Sequence, residues 1–234
     1  MRSNIMTTTK GQQLPLTIII PAAGPCRRMK SAGPKSLIPI NNETIIDRQL
    51  RLIHQIYPKA EIVVVCGFMA AKVMNYLPDY VIKVENEKFE ENNVVRSIGM
   101  GLRASRGGII GIVYGDLVFN KYALPINLSD SLLVLDQPNG LMKSEEVGIN
   151  STENKAEIVM YNHPQKWAQI AFFKDKELKM LKERAFNDNK RNLFGFEIIN
   201  EIILAGGNFK TIMPNNIRIC DVDYNKDIEI AKTI

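Results

Sequence analysis

Thr17-Ile18-Ile19-Ile20-Pro21-Ala22-Ala23-Gly24-Pro25-Cys26-Arg27-Arg28-Met29, with Gly33-Pro34-Lys35 close behind, is the stretch on which the fold turns. Residues 17–22 are β-rich and unbroken in apolar character, as expected of a strand buried on both faces of a parallel sheet. The strand runs straight into small residues and basic side chains. At the carboxyl end of a parallel strand, such a loop lies where open α/β sheets bind ligands. Small residues let backbone N–H groups approach phosphate oxygens, and arginine offers them a planar fork. Neither GxxxxGK[ST] nor GxGxxG spacing is present, so the loop is not a P-loop or a dinucleotide fingerprint. Taken alone, it also reads as an ordinary basic surface loop.

The pattern repeats downstream. Thr44 with Asp47 forms a capping-box signature, and Ile46, Leu50, Ile53 and Ile56 recur at helical spacing. Residues 62–67 form a second apolar strand, 69–76 a short helix ending before Pro78, and 81–85 a third strand. A helix over 94–103 and a fourth strand over 109–114 follow. This rhythm predicts right-handed βαβ units and a parallel sheet. In the second half, 132–136, 157–161 and 168–173 read as strands that extend the sheet with antiparallel members, separated by polar segments such as 150–155. Helices are expected at 177–185, 194–205 and 225–232, with one further strand at 210–213. The expected architecture is one α/β domain over 14–234, a mixed but mostly parallel sheet flanked by helices, preceded by a loose tail at 1–13.

Composition fits this reading. The 234 residues are 45% hydrophobic and 24% charged, which excludes a disordered chain, a collagen-like repeat and a coiled coil. No apolar run approaches the ~18 residues of a membrane helix, and no signal peptide is recognisable. The net charge of +5 is thinly spread, which suits a phosphate-bearing small ligand and argues against nucleic acid. Cys26, Cys66 and Cys220 lack paired spacing and are expected as free thiols, consistent with a cytoplasmic protein.

Two acidic motifs accompany the loop. Tyr114-Gly115-Asp116 directly follows the apolar strand at 109–113, and a carboxylate there can hold a hard cation over bound phosphates. Cys220-Asp221-Val222-Asp223-Tyr224-Asn225-Lys226-Asp227-Ile228 places Asp221 and Asp223 on one face if extended, with Asp227 in the first turn of a helix. Each motif alone also fits a turn or a helix cap.

Together, and in this order over residues 22–227, they resemble the nucleotidyltransferases of the GT-A-like fold, whose signature is A-A-G-x-G-x-R-M…P-K. Ala22, Ala23, Gly24, Arg28, Met29, Pro34 and Lys35 match it, whereas Cys26 stands where the second glycine is expected. The resemblance implies that Arg28 holds the β- and γ-phosphates of a nucleoside triphosphate and Lys35 the α-phosphate. Ala22, Ala23, Gly24, Pro25 and Cys26 would line the nucleotide. Asp116 and Asp223 would hold Mg²⁺.

The stretch Asn86-Glu87-Lys88-Phe89, leading to Asn92-Asn93-Val94-Val95-Arg96-Ser97, is similar to a segment of bacterial phosphocholine cytidylyltransferases. That similarity implies base and sugar contacts from Asn92, Asn93 and Ser97. Amides can pair with a base edge, while Asn92 or Asn93 also suits a helix N-cap. Trp167 and Tyr161 offer aromatic faces to a quaternary ammonium, although sheet packing is their more ordinary role.

The expected function is therefore Mg²⁺-dependent transfer of a nucleotidyl group, CTP favoured, to a small phosphorylated acceptor such as phosphocholine, with release of pyrophosphate. A sugar-1-phosphate nucleotidylyltransferase using another NTP is the alternative, as is a non-catalytic nucleotide-binding domain of the same fold. Neither a nucleic-acid nor a membrane partner is expected.

Overall fold

The first strand forms as its run of isoleucines dictates: β1 (Leu16–Ala22) is buried along Thr17–Pro21 and pairs in parallel with a neighbour on each side. The computed structural model describes residues 14–25, 33–136 and 146–234. Expectations for the tail at 1–13, and for Cys26 and Arg28, lie outside the described residues.

After β1 come a small hairpin, β2 (Pro39–Ile40) and β3 (Glu43–Thr44), and α1 (Ile45–Ile56). The capping box at the start of α1 is in place. Thr44 Oγ1 accepts the Asp47 N–H at 3.2 Å, and the Asp47 carboxylate accepts the Thr44 N–H at 3.3 Å. Then follow β4 (Glu61–Cys66), α2 (Ala70–Tyr76), β5 (Ile82–Glu85), α3 (Val94–Ala104), β6 (Ile109–Val113) and the short β7 (Leu117–Phe119). The second half supplies β8 (Leu132–Leu135), β9 (Val147–Thr152), β10 (Lys155–Tyr161), β11 (Gln165–Phe173), α4 (Asp175–Ala185) and α5 (Gly195–Leu204). The chain closes with β12 (Lys210–Ile212), β13 (Ile219–Asp221) and α6 (Asn225–Ala231).

Nine strands form one sheet in the order β5-β4-β1-β6-β11-β8-β12-β10-β9. The pairings make β10 and β11 antiparallel to the rest, so the sheet is mixed with most strands running one way. The first three strands spread outward from β1, and β6 then returns to its other side. That reversal makes the carboxyl ends of β1 and β6 a topological switch point, where loops diverge and leave a crevice. Two apolar layers cover the sheet. One includes Ile20, Val64 and Phe172 beneath α1 and α2, the other Ile19, Val65, Ile112 and Phe173 beneath α3, α4 and α5.

Several elements depart from expectation. Polar residues 150–155, read as a separating segment, belong mostly to the β9–β10 hairpin. Its turn residues Glu153 and Asn154 take left-handed φ values of 50° and 60°. The helix expected from Met69 begins at Ala70, because Met69 itself is left-handed at φ 51° and serves as N-cap. Strands β7 and β13 are three residues each, too short for alternation to reveal them. Among the described residues, no helix is long and apolar enough to cross a membrane.

Candidate functional site

The site assembles at the switch point because three backbone elements meet there at close range. The turn after β6 is held against β1 by the Gly115 N–H donating to the Pro21 carbonyl at 3.1 Å. Residue 115 has to be glycine, since a Cβ there would lie 2.8 Å from Ala22 Cβ and 2.9 Å from the Pro21 oxygen. On the other flank of β1, the Phe68 N–H donates to the Ala23 carbonyl at 2.9 Å. Ala22 is half-buried, Ala23 is buried, and Gly24 is exposed with nothing within 4 Å of where a Cβ would stand. Gly24 and Pro25 thus lead the chain off the sheet edge.

Asp116 and Asp223 are brought together by a two-stranded ribbon absent from the sequence reading. Strand β13 pairs antiparallel with β7, setting Asp221 opposite Leu117, and the Val222 N–H donates to the Asp116 carbonyl at 3.1 Å. A small apolar cluster of Ile38, Ile40, Ile45, Val118, Cys220, Val222 and Ala231 seats this ribbon. The same cluster anchors Ile38, which directly follows a 3₁₀ turn at Lys35–Leu37. Lys35 consequently reaches across the chain. Its Nζ lies 3.1 Å from Asp116 Oδ2 and also donates to Asp223 Oδ1.

Each acid is fixed from behind. The Asp227 carboxylate, in the first turn of α6 as expected, accepts the backbone N–H groups of Asp223 at 3.0 Å and Tyr224 at 2.7 Å. Gln49 on α1 is fully buried and donates its amide to the carbonyls of Tyr114 at 2.9 Å and Leu117 at 2.7 Å, clamping the turn that carries Asp116. Asp221 joins the group as a third acid, with Oδ2 accepting from Gln169 Nε2 at 2.9 Å.

The electrostatics follow from this crowding. One carboxylate oxygen from each of Asp116, Asp221 and Asp223 lies within 4.8 Å of the others. Burial pushes the Asp221 carboxyl well above the usual carboxylate range, reinforced by the charges of Asp116 and Asp223. Burial would lower the Lys35 ammonium, but Asp116, Asp223 and Asp221 outweigh it and hold it above the ordinary lysine value. Lys35 is the counter-ion of the cluster. Asp116 Oδ1 and Asp221 Oδ1 are buried without a hydrogen-bond partner. Clustered carboxylates with oxygens left unsatisfied suit a hard divalent cation, which takes oxygen ligands and offsets their buried charge.

The residues expected at the base lie at the start of α3, beside Asn86 at the end of β5. Asn86, buried after β5, donates to Asn92 Oδ1 at 2.8 Å and to Ser97 Oγ at 3.1 Å, and Asn92 also donates to the Lys88 carbonyl. Asn93 is the N-cap of α3, its Oδ1 accepting the Val94 N–H at 2.8 Å. The side chains of Asn86, Asn92 and Ser97 form a hydrogen-bond network of their own. Tyr114 and Trp167 pack edge to face at 5.9 Å, and Tyr161 packs on Phe196 at 5.2 Å.

Sequence reasoning missed Gln49, Asn86 and Gln169. Gln49 had a visible signal, a polar residue on the otherwise apolar stripe of α1. Asn86 stands in the Asn86–Phe89 motif, where the sequence has no feature that sets it apart as a site residue. For Gln169, inside an apolar strand, no pattern distinguished a site residue from a polar interruption.

Comparison with solved structures places the fold. The CTP:phosphocholine cytidylyltransferase of Streptococcus pneumoniae superposes with a TM-score of 0.79 at 15% identity, over 94% of this chain and 99% of that one. The inositol-1-phosphate CTP transferase of T. maritima gives 0.74 at 15% identity, over 94% and 96%. A nucleoside-diphosphate-sugar pyrophosphorylase of Vibrio cholerae gives 0.73 at 14% identity, over 93% and 100%. At such identities the likeness is one of fold. Among curated protein sequences, none matches this chain. The family model for the MobA-like NTP transferase domain, however, matches residues 18–197, spanning the strand, loop, lysine and first aspartate described above. By that match the chain belongs to the MobA-like NTP transferase domain family and is a nucleotidyltransferase.

Proposed function

We propose that the enzyme joins the nucleotidyl group of CTP to a small phosphorylated acceptor such as phosphocholine, with release of pyrophosphate. The observation that carries this reading is the convergence of Lys35 with Asp116, Asp221 and Asp223 at the carboxyl edge of β1 and β6. An acceptor phosphate oxygen attacks the α-phosphorus, the bond from that phosphorus to the pyrophosphate oxygen breaks, and pyrophosphate leaves. The acceptor is already an anion, so no enzyme nucleophile or base is required, and positioning with charge neutralisation supplies the catalysis.

Asp116 and Asp223 would hold Mg²⁺, joined by Asp221; bound there, the ion neutralises phosphate charge. Lys35 leaves its carboxylate partners for the α-phosphate, where negative charge develops in the transition state. Arg28 clamps the β- and γ-phosphates. The backbone over Ala22, Ala23, Gly24, Pro25 and Cys26 borders the triphosphate, and Asn92, Asn93 and Ser97 border base and sugar. CTP is favoured because the Streptococcus pneumoniae and T. maritima enzymes of this fold are both named for it. The Vibrio cholerae neighbour, named for nucleoside-diphosphate sugars, supports a sugar-1-phosphate acceptor as the second reading.

Pyrophosphate release, measured for each NTP against phosphocholine, other phospho-alcohols and sugar 1-phosphates, tests the assignment. The expected result is CTP with phosphocholine at the head of the panel by at least roughly tenfold in kcat/KM. A sugar 1-phosphate with another NTP at the head would select the second reading, and no release with any pair would reject both.

A further inference from the structure

Strand β11 is irregular where it passes the acidic cluster. Against β8 it pairs Trp167 with Leu135 and then Ala171 with Leu133, so β11 spends four residues while β8 spends two. Inside this bulge Gln169 has φ 54°, the left-handed region that a side chain other than glycine occupies only under strain. Bulges commonly re-aim a side chain beside a functional site. Here the re-aimed group is the Gln169 amide, whose Nε2 donates to Asp221 Oδ2 at 2.9 Å. The bulge is itself buttressed, the buried Trp167 indole N–H donating to the Ile170 carbonyl at 3.2 Å.

The backbone of Asp221 is fixed opposite Leu117, but its carboxylate is free to turn unless something holds an oxygen. Gln169 holds Oδ2 and leaves Oδ1 buried and without a hydrogen-bond partner, in the same condition as Asp116 Oδ1. An apolar residue at 169 would release that carboxylate, and glycine would relieve the backbone strain. The strained glutamine satisfies neither preference unless its amide has a task.

We propose that Gln169 is a positioning residue: the β11 bulge aims its amide at Asp221 and turns the free oxygen of that carboxylate into line with Asp116 and Asp223 as a third cation ligand. The proposal rests on the reading of the cluster as a divalent-cation site. Partners that orient metal ligands typically cost 10–100-fold in metal affinity when removed.

Mn²⁺ binding to the nucleotide-free protein, followed by electron paramagnetic resonance of the free ion, tests it without recourse to turnover. Gln169→Gly removes the amide while suiting the left-handed backbone, and is expected to raise the Mn²⁺ Kd by about tenfold or more. Asp221→Asn is expected to weaken binding at least as much, and adding Gln169→Gly to it should cost nothing further. Wild-type affinity in Gln169→Gly would overturn the positioning role. An additive loss in the double variant would overturn it too, because the amide would then act elsewhere than on Asp221. Absence of Mn²⁺ binding in the wild-type protein would remove the cation reading and this proposal together, a pattern distinct from equal binding by wild type and variants.

Discussion

Replacing Lys35 with methionine keeps the shape of the side chain and removes the ammonium that sits among Asp116, Asp221 and Asp223. At an effective dielectric constant near 20, each ammonium–carboxylate pair at ~4 Å contributes about 4 kcal/mol of gross attraction. Desolvation of the ammonium offsets much of this. The side chains of Lys35, Asp116 and Asp223 are 16%, 25% and 29% exposed, so water screens the remainder. Removing one partner of a fully buried pair costs about 3–5 kcal/mol; partial exposure brings the expectation to roughly 2–3 kcal/mol. In a chain of this length that corresponds to a melting temperature lower by roughly 4–12 °C in the absence of divalent cations. Saturating Mg²⁺ or Mn²⁺ should recover most of the loss, because a cation takes over the charge that the ammonium supplied. Adding Asp223→Asn to Lys35→Met should also recover part of it, by removing one of the repelling acids. Differential scanning fluorimetry with and without cation reads both effects. A Lys35→Met protein that melts like the wild type, and gains no more from cation than the wild type does, would refute the counter-ion role.

Further expectations concern the groups around the cluster. Because the Asp221 carboxyl is raised in the folded state, the folded protein binds more protons than the unfolded chain above the ordinary carboxylate range. Metal-free stability should therefore fall as pH rises from that range towards neutrality, and Asp221→Asn should flatten the slope in melting curves taken across pH. Gln49→Leu frees the carbonyls of Tyr114 and Leu117 inside the core, and is expected to cost about 1–3 kcal/mol by chemical denaturation and to lower kcat. Asn93→Ala separates cap from base contact. Loss of a cap alone costs ~1 kcal/mol of stability, read as a lower melting temperature, and leaves the CTP-to-ATP ratio of kcat/KM intact, whereas loss of a base contact narrows that ratio.

Legibility in the sequence tracked the range of the interaction that decides each element. Strands β1, β4 and β6 were readable because residues buried on both faces leave an unbroken apolar run. The helix α1 was readable because Thr44 and Asp47 cap it locally. The ribbon of β7 and β13 was not, since three-residue strands carry no period and are fixed by partners far along the chain. Lys35 illustrates the same division. The resemblance of its motif to nucleotidyltransferases implied a phosphate ligand, but the acids it meets lie 81 and 188 positions away. Asp221 was visible as one of two acids on an extended segment. Its membership of the cluster depends on the β7 pairing and on a bulge in β11, neither of which leaves a local trace.

The most direct test of the central claim is a ³¹P NMR time course of CTP and phosphocholine with Mg²⁺, run on the wild-type protein and on Asp116→Asn. The account predicts that pyrophosphate and a new unsymmetrical diphosphate appear one for one with the wild type. With the near-isosteric Asp116→Asn, checked for an unchanged circular dichroism spectrum, both signals should be nearly absent. Equal turnover by the two proteins, or release of phosphates without the new diphosphate, would contradict it.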